Sequence, residues 1–281
     1  MKRTVLFITT LICLSGTFAF GIAPIGQPGS NLRKGWVGLG ADVSISQIDL
    51  DVESNTSPSF FDKGTIDNLD INMILGKLSY GLKDNWEVFV GLGLAQTGSF
   101  DAEKTEPWGN NPLYKQKEVF NFEGDSGQAA QVGTKYTFYE KALVKAGVAC
   151  QLTYLSSSGT LTEDVYQEDL NGNRLFISTS EADVDSDLWI FQMAPGISYE
   201  VSFGYSIYGG PLFQWVNGSA KTKSKSGNAF RTSTDIDISN NSSFGAWVGL
   251  HADIDVFTSL NLEYQMTGSS STIGLNLTTK F

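Results

Sequence analysis

Cysteine is nearly absent from this chain: Cys13 and Cys150 are the only two. Cys13 lies inside an amino-terminal apolar run, Val5 to Leu14, that follows Lys2 and Arg3 and precedes small residues, which is the pattern of a removable export signal. Cleavage after Ala19 or Gly21 leaves Cys150 alone, so no internal disulfide can staple the mature protein even in an oxidising compartment. Bulky Ile12 ahead of Cys13 also argues against a lipoprotein signal. Long hydrophobic runs are missing too. The run at 5–14 is short of the ~20 residues a membrane helix needs, and no later segment comes near it, so helical spans are excluded. Net positive charge is lacking: the formal charge is −11, and −13 once Lys2 and Arg3 leave with the signal, so the chain offers no global basic surface to nucleic acid. Proline is scarce, at 7 residues, whereas glycine is abundant, at 30, without the collagen period. That balance suits many strands joined by turns.

What is present is strict two-residue alternation. A strand sends successive side chains to opposite faces, so alternation marks a ribbon with one apolar and one polar face. Trp86, Val88, Val90, Leu92 and Leu94 alternate with Glu87, Phe89, Gly91, Gly93 and Ala95. Phe244, Ala246, Val248, Leu250, Ala252 and Ile254 alternate with Gly245, Trp247, Gly249, His251 and Asp253. Ten such segments are expected, near 36–50, 66–80, 86–98, 128–139, 142–155, 187–199, 203–217, 243–254, 258–267 and 271–281. In a soluble sandwich the row opposite the apolar one would be charged. Here it is rich in glycine, glutamine and asparagine, which suits the interior of a membrane barrel whose apolar row faces lipid.

The lengths of the connections support the same architecture. Short links at 81–85, 140–141, 200–202 and 255–257 alternate with long ones at 51–65, 99–127, 156–186 and 218–242, with a brief fifth at 268–270. Outer-membrane barrels join strands by short periplasmic turns and long external loops. The expectation is an all-β, antiparallel, up-and-down transmembrane barrel of about ten strands spanning 22–281, behind a signal peptide at 1–21, in the outer membrane of a Gram-negative-type cell. Aromatic residues fall where membrane interfaces would lie, since amphipathic rings favour the headgroup level. Trp86, Tyr136, Phe138, Tyr199, Tyr205 and Phe281 are assigned to the periplasmic girdle, and Tyr154, Trp189, Trp215 and Phe244 to the outer one.

Two segments carry a family likeness. The stretch Tyr80-Gly81-Leu82-Lys83-Asp84-Asn85-Trp86-Glu87 and the final strand ending in Phe281 resemble the outer-membrane β-barrel superfamily that includes the OmpA-type and opacity-like surface proteins. The resemblance implies that Phe281 is part of the signal read by the barrel-assembly machinery, and that the partners are outer-membrane lipids, lipopolysaccharide included. OmpA-type barrels have eight strands, and this chain departs from them with ten.

Candidate chemistry is sparse. Omptin surface proteases, also ten-stranded, use paired aspartates and an Asp-His couple at the external mouth, but the single histidine here, His251, precedes Asp253 beside an expected periplasmic turn. A His-x-Ser lipid A deacylase pattern fails at Ala252-Asp253. No nucleophile sits beside a base, no phosphate loop occurs and no Cys/His metal cluster exists, so no enzymatic role, cofactor or metal is expected. Asp169-Leu170-Asn171-Gly172-Asn173 has calcium-loop features without the downstream glutamate, and Asn171-Gly172 is better taken as the turn of a hairpin that makes the third long connection a β-ribbon. Glu87, Lys135, Lys145, His251, Asp253 and Glu263 fall on inward rows, where opposite charges are expected to pair across the lumen. Lys221, Lys223, Lys225 and Arg231 form a basic loop cluster, either a solvated strand edge or a contact for lipopolysaccharide phosphates. The leading expectation is a surface protein with a structural or interaction role toward an unidentified external ligand; the runner-up is a narrow channel for small solutes.

Overall fold

The computed structural model describes residues 22–54, 63–107, 114–169, 172–224, 233–240 and 243–281. These residues form thirteen strands and no helix: β1 (Val37–Ser54), β2 (Lys63–Lys83), β3 (Trp86–Thr97), β4 (Phe100–Pro107), β5 (Tyr114–Gly124), β6 (Ser126–Lys141), β7 (Val144–Asp169), β8 (Arg174–Ser202), β9 (Tyr205–Ser224), β10 (Ser233–Ser239), β11 (Phe244–Asp253), β12 (Thr258–Thr267) and β13 (Ser270–Lys280). Ten of them close a ring in the order β1-β2-β3-β6-β7-β8-β9-β11-β12-β13, every neighbour antiparallel, with β13 returning to β1 over Gly38↔Lys280 to Ile48↔Ser270. These are the ten segments the alternation selects. Closure pairs every backbone edge at membrane depth, which lipid demands because it offers no hydrogen bonds. The last link of the ring is the exchange between Val37 and Phe281, whose N–H and C=O groups bond reciprocally at 3.1 and 2.8 Å.

The short turns at β2–β3, β6–β7, β8–β9 and β11–β12 gather at one end, and the membrane level can be placed from the outward aromatics. On β8, Tyr199 and Trp189 stand ten residues apart on the exposed face, and on β9 Tyr205 and Trp215 do the same. Ten residues at ~3.3 Å each, on strands tilted ~40°, rise about 25 Å, the height of a barrel's apolar band. Between the two levels the outer surface presents residues such as Val90, Leu92, Val132, Ile197, Ile207, Val248, Leu250 and Ile273.

Above that band the strands do not stop. β7 and β8 run for 26 and 29 residues and β9 for 20, and the described residues of the connections expected as loops at 51–65, 99–127, 156–186 and 218–242 are largely strand. The β4–β5 hairpin adds to the extended β7, and β10 inserts between the tops of β9 and β1, bonding Ser239 to Asp51 and Ile236 to Ser54 in register. The external part is thus a second storey of eight strands, β1, β2, β4, β5, β7, β8, β9 and β10.

The reason it folds rather than flaps is a reversal of polarity along single strands. On β8 the outward row is Ile197, Met193, Trp189 at membrane depth and then Asp187, Asp185, Asp183, Glu181; the inward row is Ser198, Gln192 and then Ile190, Leu188, Val184. On β1 the inward row changes from Asp42, Ser44, Ser46 to Ile48, Leu50, Val52. Lipid is the apolar solvent for the lower storey, whereas the upper one stands in water and must bury its own apolar row inside. Ile48, Leu50, Val52, Leu69, Ile71, Leu188, Ile190, Val216, Ile236 and Ile238 accordingly form one buried cluster. The expectation of a polar interior holds at membrane depth and is corrected above it.

Candidate functional site

Below the apolar storey the lumen is filled by the chain's own N-terminal segment. Residues 22–30 are all buried inside the barrel. From the periplasmic turn, where Lys34 N–H donates to Asp84 Oδ1, Gly35 N–H to Gly81 C=O and Gly81 N–H to Trp36 C=O, the segment climbs the lumen backwards along the chain. Ser30 N–H donates to Thr137 Oγ1 at 2.9 Å and Asn31 N–H to Glu87 Oε2 at 3.0 Å. Ile25 and Gly26 give both their N–H groups to the Glu263 carboxylate, each at 2.8 Å. Gly26 has φ of +72°, a left-handed conformation that glycine adopts without a Cβ penalty and that lets two consecutive amides converge on one carboxylate. Ala23 C=O accepts from Gln151 Nε2 at 2.9 Å, and Ile22 N–H reaches Ser46 Oγ at 2.6 Å.

A layer of amides lies at the height of Ala23. Gln151 Nε2 donates to Gln192 Oε1 at 2.7 Å, Gln192 Nε2 to Gln265 Oε1 at 2.6 Å and to Gln214 Oε1 at 3.2 Å, and Gln265 Nε2 to Glu263 Oε1 at 2.7 Å. Tyr208 OH donates to the same carboxylate at 3.3 Å. This network spans β7, β8, β9 and β12, and separates the segment-filled lower lumen from the apolar upper one. An ordered amide network in a low-dielectric interior is rigid because each missing partner would cost a full desolvation penalty.

The charges do not pair as the sequence suggested. Glu87, Lys135 and Glu263 are buried on inward rows, yet none of them forms an ion pair within 4 Å among the described residues. The intruding segment takes their place: Glu87 and Glu263 accept its amides, and the Lys135 ammonium lies against Gly26. Lys145 is at the periplasmic rim, donating to Ser30 C=O and pairing loosely with Glu140. The buried pair that does form is Lys77–Asp42 at 3.1 Å, with Lys77 also 4.1 Å from the Phe89 ring centroid and Asn276 Nδ2 donating to Asp42. Sequence reasoning passed over all three features. The signals were present: a non-alternating Pro/Gly stretch at 22–30, inward glutamines midway along four strands, and inward Asp42 and Lys77 on adjacent strands.

His251 is buried on β11, Nδ1 against Asn261 Oδ1 at 2.9 Å and Nε2 3.3 Å from Asp253 Oδ1, while Asp253 itself is exposed at the rim rather than inside the lumen. Both line a periplasmic vestibule of about 690 Å³ shared with Arg33, Glu140, Lys145 and Lys280. The girdle residues Trp86, Tyr136, Tyr199 and Phe281 face outward at the short-turn end, and Trp189 and Trp215 at the far level, where Tyr154 stacks on Trp189 with centroids 4.8 Å apart.

Of the basic cluster, Lys225 and Arg231 lie outside the described residues. Lys221 and Lys223 project outward opposite Asp185 and Asp183, and Lys223 Nζ meets Asp185 Oδ2 at 2.8 Å. The hydrogen bond and charge of Asp185 hold the Lys223 ammonium above its ordinary pKa. The acidic and basic rows of neighbouring strands therefore answer each other. The Asp169 carboxylate, in the stretch with calcium-loop features, accepts from Asn173 N–H and Nδ2, and Gly172 between them has φ of +81°. Among the described residues no group of three or more His, Cys, Asp or Glu could hold a metal ion.

A closed ring of ten antiparallel strands, lipid-facing over one band and turned tightly at one end, defines a bacterial outer-membrane β-barrel. Known structures agree in fold. The chain is similar to the outer membrane protease OmpT from Escherichia coli, with TM-score 0.54, 11% identity and coverage of 86% of this chain and 94% of that one. Weaker likenesses include the outer membrane protein OprG from Pseudomonas aeruginosa (TM-score 0.36, 11% identity, 89% and 97% covered) and Ail, the attachment invasion locus protein of Yersinia pestis (0.29, 12%, 89% and 100%). No protein-family model and no curated protein matches the chain. The protein thus has the fold of an outer-membrane β-barrel protein.

Proposed function

We propose that this is an occluded surface barrel, closed to solutes at rest, that works through its rigid external storey in a structural or interaction role. The observation that carries this reading is the N-terminal segment, fixed in the lumen by buried bonds from Ile22, Ala23, Ile25, Gly26, Ser30 and Asn31. Ten strands already leave little lumen, since open aqueous channels come with 16 or more. The outward rows of β7, β8 and β9 support the external role. Their carboxylates, hydroxyls and lysines stand on a paired ribbon that keeps a fixed shape, so a partner need not order it on binding. No catalytic role is assigned: the chain's one histidine is at the periplasmic vestibule and not at the external mouth. The partners fitting this reading are lipids of the outer leaflet and an external ligand. Purified protein in planar bilayers tests it. The full barrel is expected to be silent, and deletion of residues 22–32 is expected to open discrete conductance. Steady openings from the intact protein would overturn the occluded reading in favour of a narrow channel.

A further inference from the structure

The external storey has the strand number of a calyx. Eight antiparallel strands enclose an interior just wide enough for side chains to fill or for one small ligand to occupy. Here the filling is incomplete. A cavity of about 80 Å³ remains among Leu50, Leu69, Phe122, Val184, Leu188 and Ile236. Among the described residues its wall carries no charged side chain, and the polar groups there are the hydroxyls of Thr97, Ser186 and Thr222. Its floor is the apolar cluster that begins at Ile22, with the amide layer beneath.

The wall also has one seam. Each pair of the storey's neighbours is joined by a ladder except β2 and β4; beside them Gly98, in the link between β3 and β4, donates its N–H to Asp70 C=O of β2 at 2.7 Å. The cavity is lined by Ile66 and Leu69 of β2, by Thr97 at the end of β3 and by Phe122 of β5, the strand paired to β4.

We infer that the external storey is a binding calyx for one small, uncharged, predominantly hydrocarbon molecule, admitted between β2 and β4. This deepens, and rests on, the proposal that the external storey is the working part of the protein. Charge is refused because an ion entering this wall would lose its hydration with no counter-ion to meet it. Size is limited because the cavity is smaller than the ~150 Å³ that holds benzene in a dry protein interior, so a ring of that size must spread the seam, whereas xenon need not.

The test uses full-length protein in nanodiscs with ¹³C-labelled Ile, Leu and Val methyls, titrated with xenon and then with benzene. Lipid-facing Val90, Leu92 and Leu250 report partition into the bilayer and serve as the internal reference. Saturable shifts are expected at Leu50, Leu69, Val184, Leu188 and Ile236, and non-saturating drift at the reference methyls. Ala220→Phe fills the cavity from β9 and is expected to abolish the saturable shifts by at least tenfold weaker apparent affinity; Ala220→Leu is the milder version should the larger ring not fold. Unliganded spectra that keep the dispersed Val184, Leu188 and Ile236 methyl signals show that the external storey of either variant is folded. Chamber methyls that drift like the reference set, or shifts that persist unchanged in a folded Ala220 variant, would overturn the calyx. Bilayer conductance judges the occluded reading separately, so one proposal can fail while the other stands.

Discussion

At the scale of single residues, the barrel concentrates its polar energetics in two carboxylates that the alternation marks only as inward. Asp42 sits nearly unexposed against Lys77 and Asn276. Breaking a buried pair strands the remaining charge, which costs more than the pair contributes. Asp42→Ala is therefore expected to lower stability by about 3–5 kcal/mol, and the Asp42→Ala, Lys77→Met double variant to recover most of that loss, both measured by urea unfolding in lipid vesicles. Glu263 binds two consecutive amides, and charge-assisted bonds of that kind contribute roughly 1.5–3 kcal/mol each. Glu263→Ala should loosen the segment without undoing the ring. Amide exchange at Ile25 and Gly26 should speed by more than tenfold, and brief openings should appear in bilayers. Unchanged protection at those amides would mean the carboxylate is not what anchors the segment.

The turn at 255–257 offers a pH-dependent counterpart outside the membrane. Asp255 Oδ1 accepts N–H bonds from Phe257 and Thr258, each at 2.7 Å, an Asx turn that stands in for a backbone turn. The bond from Phe257, with that from Thr258, favours the charged form and lowers the Asp255 pKa. A depressed folded value means the stabilisation is present above the unfolded pKa of ~3.9 and is lost as pH falls through the lower folded value. Asp255→Ala should accordingly be less stable than the parent at neutral pH, the difference vanishing as pH falls through the lowered folded value, by the same vesicle assay.

At the scale of elements, β10 is the piece that closes the external storey. It is seven residues long and supplies Ile236 and Ile238 to the common core while bridging β9 to β1. Carboxylates at both inward positions would have no counter-charge and would pull the strand off. Ile236→Asp with Ile238→Asp is expected to raise external protease cleavage within 218–242 on intact cells about tenfold for each ~1.4 kcal/mol taken from closure. Heat-modifiable migration of the barrel should remain, because the ten-strand ring does not include β10. Loss of the folded band would show that the two storeys fold as one unit.

At the scale of the whole molecule, one chain satisfies two solvents. Residues such as Leu92 and Leu250 outside, with Gln192 and Gln265 inside, suit a shell in lipid; Asp185 and Lys223 outside, with Leu188 and Ile236 inside, suit a barrel in water. The sequence by itself determined where the transmembrane strands lie, about ten of them, and the end bearing the short turns, because side-chain period and turn chemistry are local and lipid enforces them at every residue; ring closure fixed the count at ten. The ribbon that β7 and β8 form over 156–186 was legible for the same reason, while Asn171 of its expected turn lies outside the described residues. Three things were decided only by tertiary structure. The return of 22–32 into the lumen joins residues more than two hundred positions apart, and no local period announces it. The amide layer exists only once ring closure brings β7, β8, β9 and β12 to one height. The external storey needed inward and outward to be defined first, since alternation tells which residues share a face but not whether that face meets lipid, water or the core.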